Sequence, residues 1–180
     1  PLLTDKGLPK LHTLELAHNR LGEDPNASNL ALNLPSLKAL FLGNNSLTKL
    51  GPSPLEGVDK PKEPDNLHSY LGCLPSLSVL HLRHNRIQNL DGLDDESVPG
   101  LQYLNLRENQ IISMSQVKKL CDLNQLQTLI LTGNPTMDTS DCHLEARVAV
   151  SSLRRFNKEV YTKEEHEEAD ALIKQGSLFD

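Results

Sequence analysis

Tryptophan is missing from this chain, and aromatic residues of all kinds make up only 3% of its 180 positions. A core built round large rings is therefore excluded, and Leu, Val and Ile must fill it. A basic excess is missing too. With 18 Lys and Arg against 24 Asp and Glu the net charge is −6, the wrong sign for a nucleic-acid module, which presents a basic face. No apolar run approaches the roughly 18 residues that span a bilayer, and no charged-then-apolar leader opens the chain. Position 1 is Pro rather than Met, which points to a piece of something longer. Cysteine is scarce: Cys73, Cys121 and Cys142 are odd in number and far apart. They have neither a disulfide framework nor zinc-ligand spacing, and the expectation is reduced, mostly buried thiols in an intracellular protein. Asn26-Ala27-Ser28 and Asn44-Asn45-Ser46 match the glycosylation sequon, a pattern short enough to arise by chance.

What is present is repetition. The stretch "LSVLHLRHNRI" (77–87) has close relatives in "LHTLELAHNRL" (11–21) and "LQYLNLRENQI" (101–111). Aligned, the chain writes L-x-x-L-x-L-x-x-N five times, beginning at Leu11, Leu37, Leu77, Leu101 and Leu126 and ending on Asn19, Asn45, Asn85, Asn109 and Asn134. The steps between copies are 26, 40, 24 and 25 residues. This is the signature of the leucine-rich repeat. The fold class it predicts is an α/β solenoid with a concave parallel sheet, convex helices and a helical C-terminal cap, because one unit cannot bury its apolar face alone. Leucines at the fourth and sixth positions alternate inward along each strand. The recurring Asn both donates and accepts, so it is expected to satisfy turn backbone and to be structural, not catalytic.

The return segments 24–34 and 113–123 have helix starts and apolar periodicity, and 90–101 reads as a shorter helix ended by Pro99-Gly100. The 40-residue step places an insertion at 51–66, "GPSPLEGVDKPKEPDN", where four prolines and two glycines oppose helix and strand. Such a surface loop is either functional or merely tolerated. Repeats are expected over residues 1–135 and a cap over 136–180. In the cap, Leu144 and Val148 share a helix face with Leu153 and Phe156 following, and Thr162 with Glu165 forms a capping box at the start of a terminal acidic helix. That acidic run is a solvated helix face or, on the other reading, a partner site.

The Asn ladder followed by "LQTLILTGNP" and "LRRFNKEVYTKEE" resembles the cap of intracellular leucine-rich repeat proteins of the SDS22 type, a group that includes a phosphatase regulator, a spliceosomal subunit and axonemal proteins. More narrowly, "LHLRHNRI", "LQYLNLRENQI" and "FNKEVYTKEEHEEADALI" resemble the leucine-rich repeat proteins of the ciliary radial spoke. This chain has Phe156-Asn157 where the cap usually has Leu-Asp, and the Pro-rich insertion is not part of the common pattern. The resemblance implies a non-enzymatic scaffold in the axoneme of cilia or flagella, cytoplasmic, with other radial-spoke subunits as partners. The alternative it leaves open is a regulatory binding module of the phosphatase-targeting or splicing kind.

Positions three, five and seven of each copy face out of the concave sheet, and packing does not dictate them. From these columns Phe41, Val79, His81, Arg83, Tyr103, Arg107 and Ile130 stand out as a partner-binding set, since aromatic and arginine side chains are the usual anchors of protein interfaces. Scattered exposed apolar groups are the bland alternative. No phosphate-cradling glycine loop, nucleophile elbow or metalloprotease helix is present, so no enzyme, cofactor or small-molecule substrate is expected. His12, His18, His81 and His84 approach one face, but no carboxylate or thiolate stands at matching positions and no metal is expected. Neither nucleic acid nor membrane is an expected partner.

Overall fold

Each L-x-x-L-x-L segment carries a three-residue strand: β1 (Thr13–Glu15), β2 (Ala39–Phe41), β3 (Val79–His81), β4 (Tyr103–Asn105) and β5 (Thr128–Ile130). The computed structural model describes residues 8–23, 32, 34–50, 71–138 and 141–175. The expected insertion at 51–66 and nearly all of the expected helix at 24–34 lie outside those residues. Neighbouring strands pair in parallel, each position of one copy opposite the same position of the next, as in Leu14↔Leu40, Leu40↔Leu80, Leu80↔Leu104 and Leu104↔Leu129. The 40-residue step between the second and third copies leaves this register unchanged.

The inward leucines form a continuous spine. Leu40, Leu80, Leu104 and Leu129 at the fourth position and Leu42, Leu82, Leu106 and Leu131 at the sixth are wholly shielded from solvent, each contributing about 1.5–3 kcal/mol before entropy is charged. Leu14 and Leu16 are only half-buried, because among the described residues β1 has β2 as its one neighbouring strand.

The asparagines stitch the copies together. Asn85 Nδ2 donates to Leu82 O at 2.8 Å in its own copy and to Leu42 O at 3.0 Å in the one before. Its Oδ1 accepts from the amides of Leu47 at 2.9 Å and Asn45 at 3.1 Å. Asn109 and Asn134 repeat the arrangement, spanning Leu82 to Leu106 and Leu106 to Leu131 and accepting from Ile87 and Ile111. The residue just before each of these asparagines is left-handed: His18, Asn44, His84, Glu108 and Gly133 have φ of 59, 57, 54, 54 and 79°. The turn needs this conformation to aim the Asn amide back across the strand ends, and four of the five copies tolerate it without glycine. At Gly133 a Cβ would stand 2.8 Å from Glu108 Cγ, so a side chain there would also have to push that glutamate aside.

The convex side departs from expectation. The predicted helix at 113–123 is a 3-10 helix over Met114–Leu120, capped by Ser113 accepting from Ser115 N, with Met114, Val117 and Leu120 buried. That spacing of three is the 3-10 period, which stacks one narrow row against the spine. Residues 90–101 form turns rather than a short helix, tied by reciprocal bonds between Asp94 and Ser97.

After the fifth copy come α1 (Cys142–Ala149), β6 (Arg155–Phe156), β7 (Glu159–Val160) and α2 (Lys163–Gln175). Strand β6 pairs in parallel with β5, setting Phe156 opposite Leu129, and β7 turns back antiparallel to close the sheet. Leu153-x-x-Phe156 is thus a truncated sixth copy. Asn157, left-handed at φ 54°, accepts from the amides of Leu131 at 2.8 Å and Thr132 at 3.0 Å, doing for the last strand what an aspartate there would do. The buried side of α1 is Cys142, Ala146 and Ala149, whereas Leu144 and Val148 are half-buried. Cys73 and Cys121 are exposed, so only Cys142 fits the expectation of a buried thiol.

The capping box is present, Thr162 N donating to Glu165 Oε2 at 2.7 Å and Glu165 N to Thr162 Oγ1 at 3.2 Å. The bond from the Thr162 amide holds the Glu165 carboxyl below its usual range. Helix α2 buries only Ala169. Its attachment is largely polar: buried Arg147 donates from Nε to His166 Nδ1 and from Nη2 to Asp170 Oδ1, both at 2.9 Å. Tyr161 donates to His143 O at 2.7 Å, and burial pushes its phenol well above the ordinary range.

Asn85→Ala should lower stability by about 1–3 kcal/mol, the cost of leaving shielded backbone groups unpaired. Urea melts measure it, and an unchanged midpoint would remove the stitching role.

Candidate functional site: the concave face

Once fourth and sixth positions are committed to the spine, the third, fifth and seventh of each copy form three rows across the concave sheet. The parallel register brings like positions side by side, so Phe41 lies opposite His81 and Val79 opposite Tyr103. Phe41 and His81 stack, ring centroids 4.8 Å apart and planes 18° from parallel. Tyr103, diagonal to His81, completes the series at 5.0 Å and 35°. Three rings from three copies thus form one continuous ladder, at spacings where aromatic pairs attract beyond their buried area.

His81 is held from below. Asn105 is buried, and its Oδ1 accepts from Arg107 N at 3.0 Å, which fixes the amide's orientation and turns Nδ2 toward His81 Nδ1 at 3.4 Å. An amide nitrogen only donates, so Nδ1 accepts and the neutral ring carries its proton on Nε2. Burial, and secondarily the Arg83 charge, push the His81 pKa down, with Glu15 opposing them.

The two arginines differ. Arg107 donates to Glu108 Oε1 at 2.9 Å, and the same carboxylate pairs with His84 Nδ1. Arg83 has no carboxylate partner among the described residues, and its stem lies across Gly43, where a Cβ would stand 3.2 Å from Arg83 Cγ. The predicted set is thus only partly united. Phe41, His81 and Tyr103 form the ladder, with Val79 beside it and Arg83 exposed at its rim. Ile130 lies beyond Asn105, and Arg107 is engaged by Glu108. Sequence reasoning missed Arg155, which the β5–β6 register sets beside Thr128 in the third-position row, exposed. The signal was there: Leu153 follows Leu126 by 27 residues, a normal repeat step. Among the described residues no cluster of three or more His, Cys, Asp or Glu is arranged to hold a metal ion.

The parallel one-strand-per-copy sheet and its asparagine ladder define the class: this chain is a leucine-rich repeat protein. The leucine-rich repeat family model matches residues 75–135, the third to fifth copies. The chain is similar to Leucine-rich repeat-containing protein 23 of Bos taurus, 40% identical over 133 residues, or 74% of this chain and 33% of that protein. To its Homo sapiens counterpart it is 42% identical over 99 residues, 55% of this chain and 29% of that protein. The chain therefore spans about a third of the length of the curated relatives it matches. Among solved structures it is similar in fold to a chain of the Drosophila melanogaster SNF/U2A' complex, with TM-score 0.68 and 24% identity over 91% of this chain and 83% of that one.

Because folding favours the neutral His81 ring, the unfolded chain takes up its proton first as pH falls below about 6.5. The stability this residue contributes is full above that pH and declines as acid approaches its lower folded value. His81→Phe, which keeps the ladder, should show a smaller loss of stability between about pH 7.5 and about pH 5.5. Urea melts at the two pH values check this, and identical losses in both proteins would contradict it.

Proposed function

We propose that this chain is a non-enzymatic protein-interaction scaffold and a structural component of the axonemal radial spoke of cilia and flagella, cytoplasmic, with other spoke subunits as its partners. Repeats within 1–135 carry the binding face and 136–180 form the cap that closes the solenoid. The observation that carries the interaction role is the ring ladder of Phe41, His81 and Tyr103 with Arg83 at its rim. Rings and arginines that the spine does not require are the side chains protein interfaces use as anchors. The leucine-rich repeat family supports a scaffold. The axonemal assignment rests on the likeness of "LHLRHNRI" and "FNKEVYTKEEHEEADALI" to radial-spoke repeat proteins. No described helix is long and apolar enough to cross a membrane.

The test is a pull-down from ciliary axonemes with the wild-type chain, Tyr103→Ala and the double variant Arg83→Glu with Arg107→Glu, each melted in parallel. Spoke subunits should bind the wild type. Tyr103→Ala should weaken binding by about 2 kcal/mol, the charge reversal should abolish it, and all three should melt within a few degrees of one another. Undiminished capture by both variants would move the site off the concave face. Capture of phosphatase or splicing subunits instead would replace the axonemal assignment by the regulatory one.

A further inference from the structure

The concave face has an unequal supply of hydrogen-bond donors. His81 presents Nε2–H outward, because Asn105 occupies its other nitrogen. Among the described residues the Tyr103 hydroxyl beside it has no protein partner, and neither Arg83 nor Arg155 has a carboxylate. Over the third, fifth and seventh positions of the repeat strands, three residues are arginine (Arg83, Arg107 and Arg155) and one, Glu15 on β1, is acidic; Glu108 in the turn after β4 already engages Arg107, which leaves Arg83 and Arg155 unmatched. This cationic strip belongs to a chain whose net charge is −6. The surplus donors line a ladder of rings, so the complementary ligand alternates carboxylates with apolar side chains.

We infer that the partner element read by this face is an extended acidic segment with interleaved apolar residues, laid across the strands from Phe41 to Arg155. Its carboxylates meet His81 Nε2–H, Tyr103 Oη–H and Arg83 near the ladder and Arg155 at the cap end, and its apolar side chains lie on the rings. Glu15 disfavours the opposite placement, toward the first copy. Like charges set across an interface reject a register more effectively than they lower affinity elsewhere. The inference rests on the concave-face reading above. Copies two to six are four strand spacings apart, roughly 19 Å, which about six residues of extended chain cover.

The probe is the peptide acetyl-Glu-Leu-Glu-Phe-Glu-Leu-Glu-amide, titrated into the whole chain while backbone amide shifts are followed by NMR. Matched peptides with Gln or Lys in place of Glu serve as controls. Shifts should concentrate on residues 79–83, 103–107 and 155. The Gln peptide should bind at least about tenfold more weakly, and the Lys peptide should not bind. Arg83→Ala should weaken the acidic peptide by about tenfold. His81→Phe, which keeps the stack but removes both the Nε2–H donor and the Nδ1 acceptor of Asn105, should weaken it several-fold with a melting temperature within a few degrees of wild type. Equal affinity for the Glu and Gln peptides, shifts confined to the convex side, or full affinity in both variants would overturn the inference. If those results came with Tyr103→Ala still losing the captured spoke subunits, the scaffold reading would stand and only the acidic segment would fall.

Discussion

An asparagine carboxamide that bonds to two copies of the repeat at once is the contact on which the rest of this structure depends. A three-residue strand has too few ladder bonds to hold its neighbour unaided, and the chain leaves each strand at a turn whose carbonyls and amides point into a leucine spine. Asn85 answers both needs, with Nδ2 bridging Leu42 and Leu82 carbonyls and Oδ1 receiving Leu47 and Asn45. Removing water from those groups without a partner would cost about 1–3 kcal/mol apiece, comparable to the gain from a buried leucine. Asn45, Asn109 and Asn134 span copies in the same way, so the cost is met at each internal turn. Asn19 makes bonds only within its own copy, because nothing described lies beyond β1 to receive it.

Satisfying the turns from beneath frees the concave rows. Stability resides in the fourth and sixth positions and in the asparagines, which leaves the third, fifth and seventh to vary with little penalty. Only on such a surface can Phe41, His81 and Tyr103 be arranged as a stack whose members come from strands 40 and 24 residues apart in the chain. The parallel register turns that sequence distance into adjacency. The conformation is tolerant too: the left-handed position before each asparagine accepts His, Asn and Glu as well as Gly, and Glu108 there is clamped by Arg107 and His84.

The solenoid was legible in the sequence because the spine admits almost no substitution: a repeat of five leucine-and-asparagine copies has one physical solution. The convex side was less legible. Val117 and Leu120 fit a helix or a 3-10 period equally well over so short a stretch, and the chain took the tighter form. The sixth copy was hidden because Phe156 fills a leucine position and Asn157 arrives early, so the motif breaks although the sheet continues. On the concave face the pattern identified which residues point outward. It did not show that Asn105 would orient His81, that Glu108 would engage Arg107, or that Arg155 would join the row. Those outcomes depend on neighbours contributed by other copies, and a single strand's sequence does not contain them.

The asparagine stitching is tested most directly by amide hydrogen exchange in the native chain. The N–H groups of Leu47, Ile87 and Ile111 are bonded to the Oδ1 atoms of Asn85, Asn109 and Asn134. The N–H groups of Leu42, Leu82 and Leu106 are bonded to strand backbone carbonyls. If the side-chain amides hold the copies as firmly as the sheet does, the two sets should exchange within about tenfold of each other and open together. Exchange of Leu47, Ile87 and Ile111 at the rate of unprotected turns, with the strand amides still protected, would contradict the account.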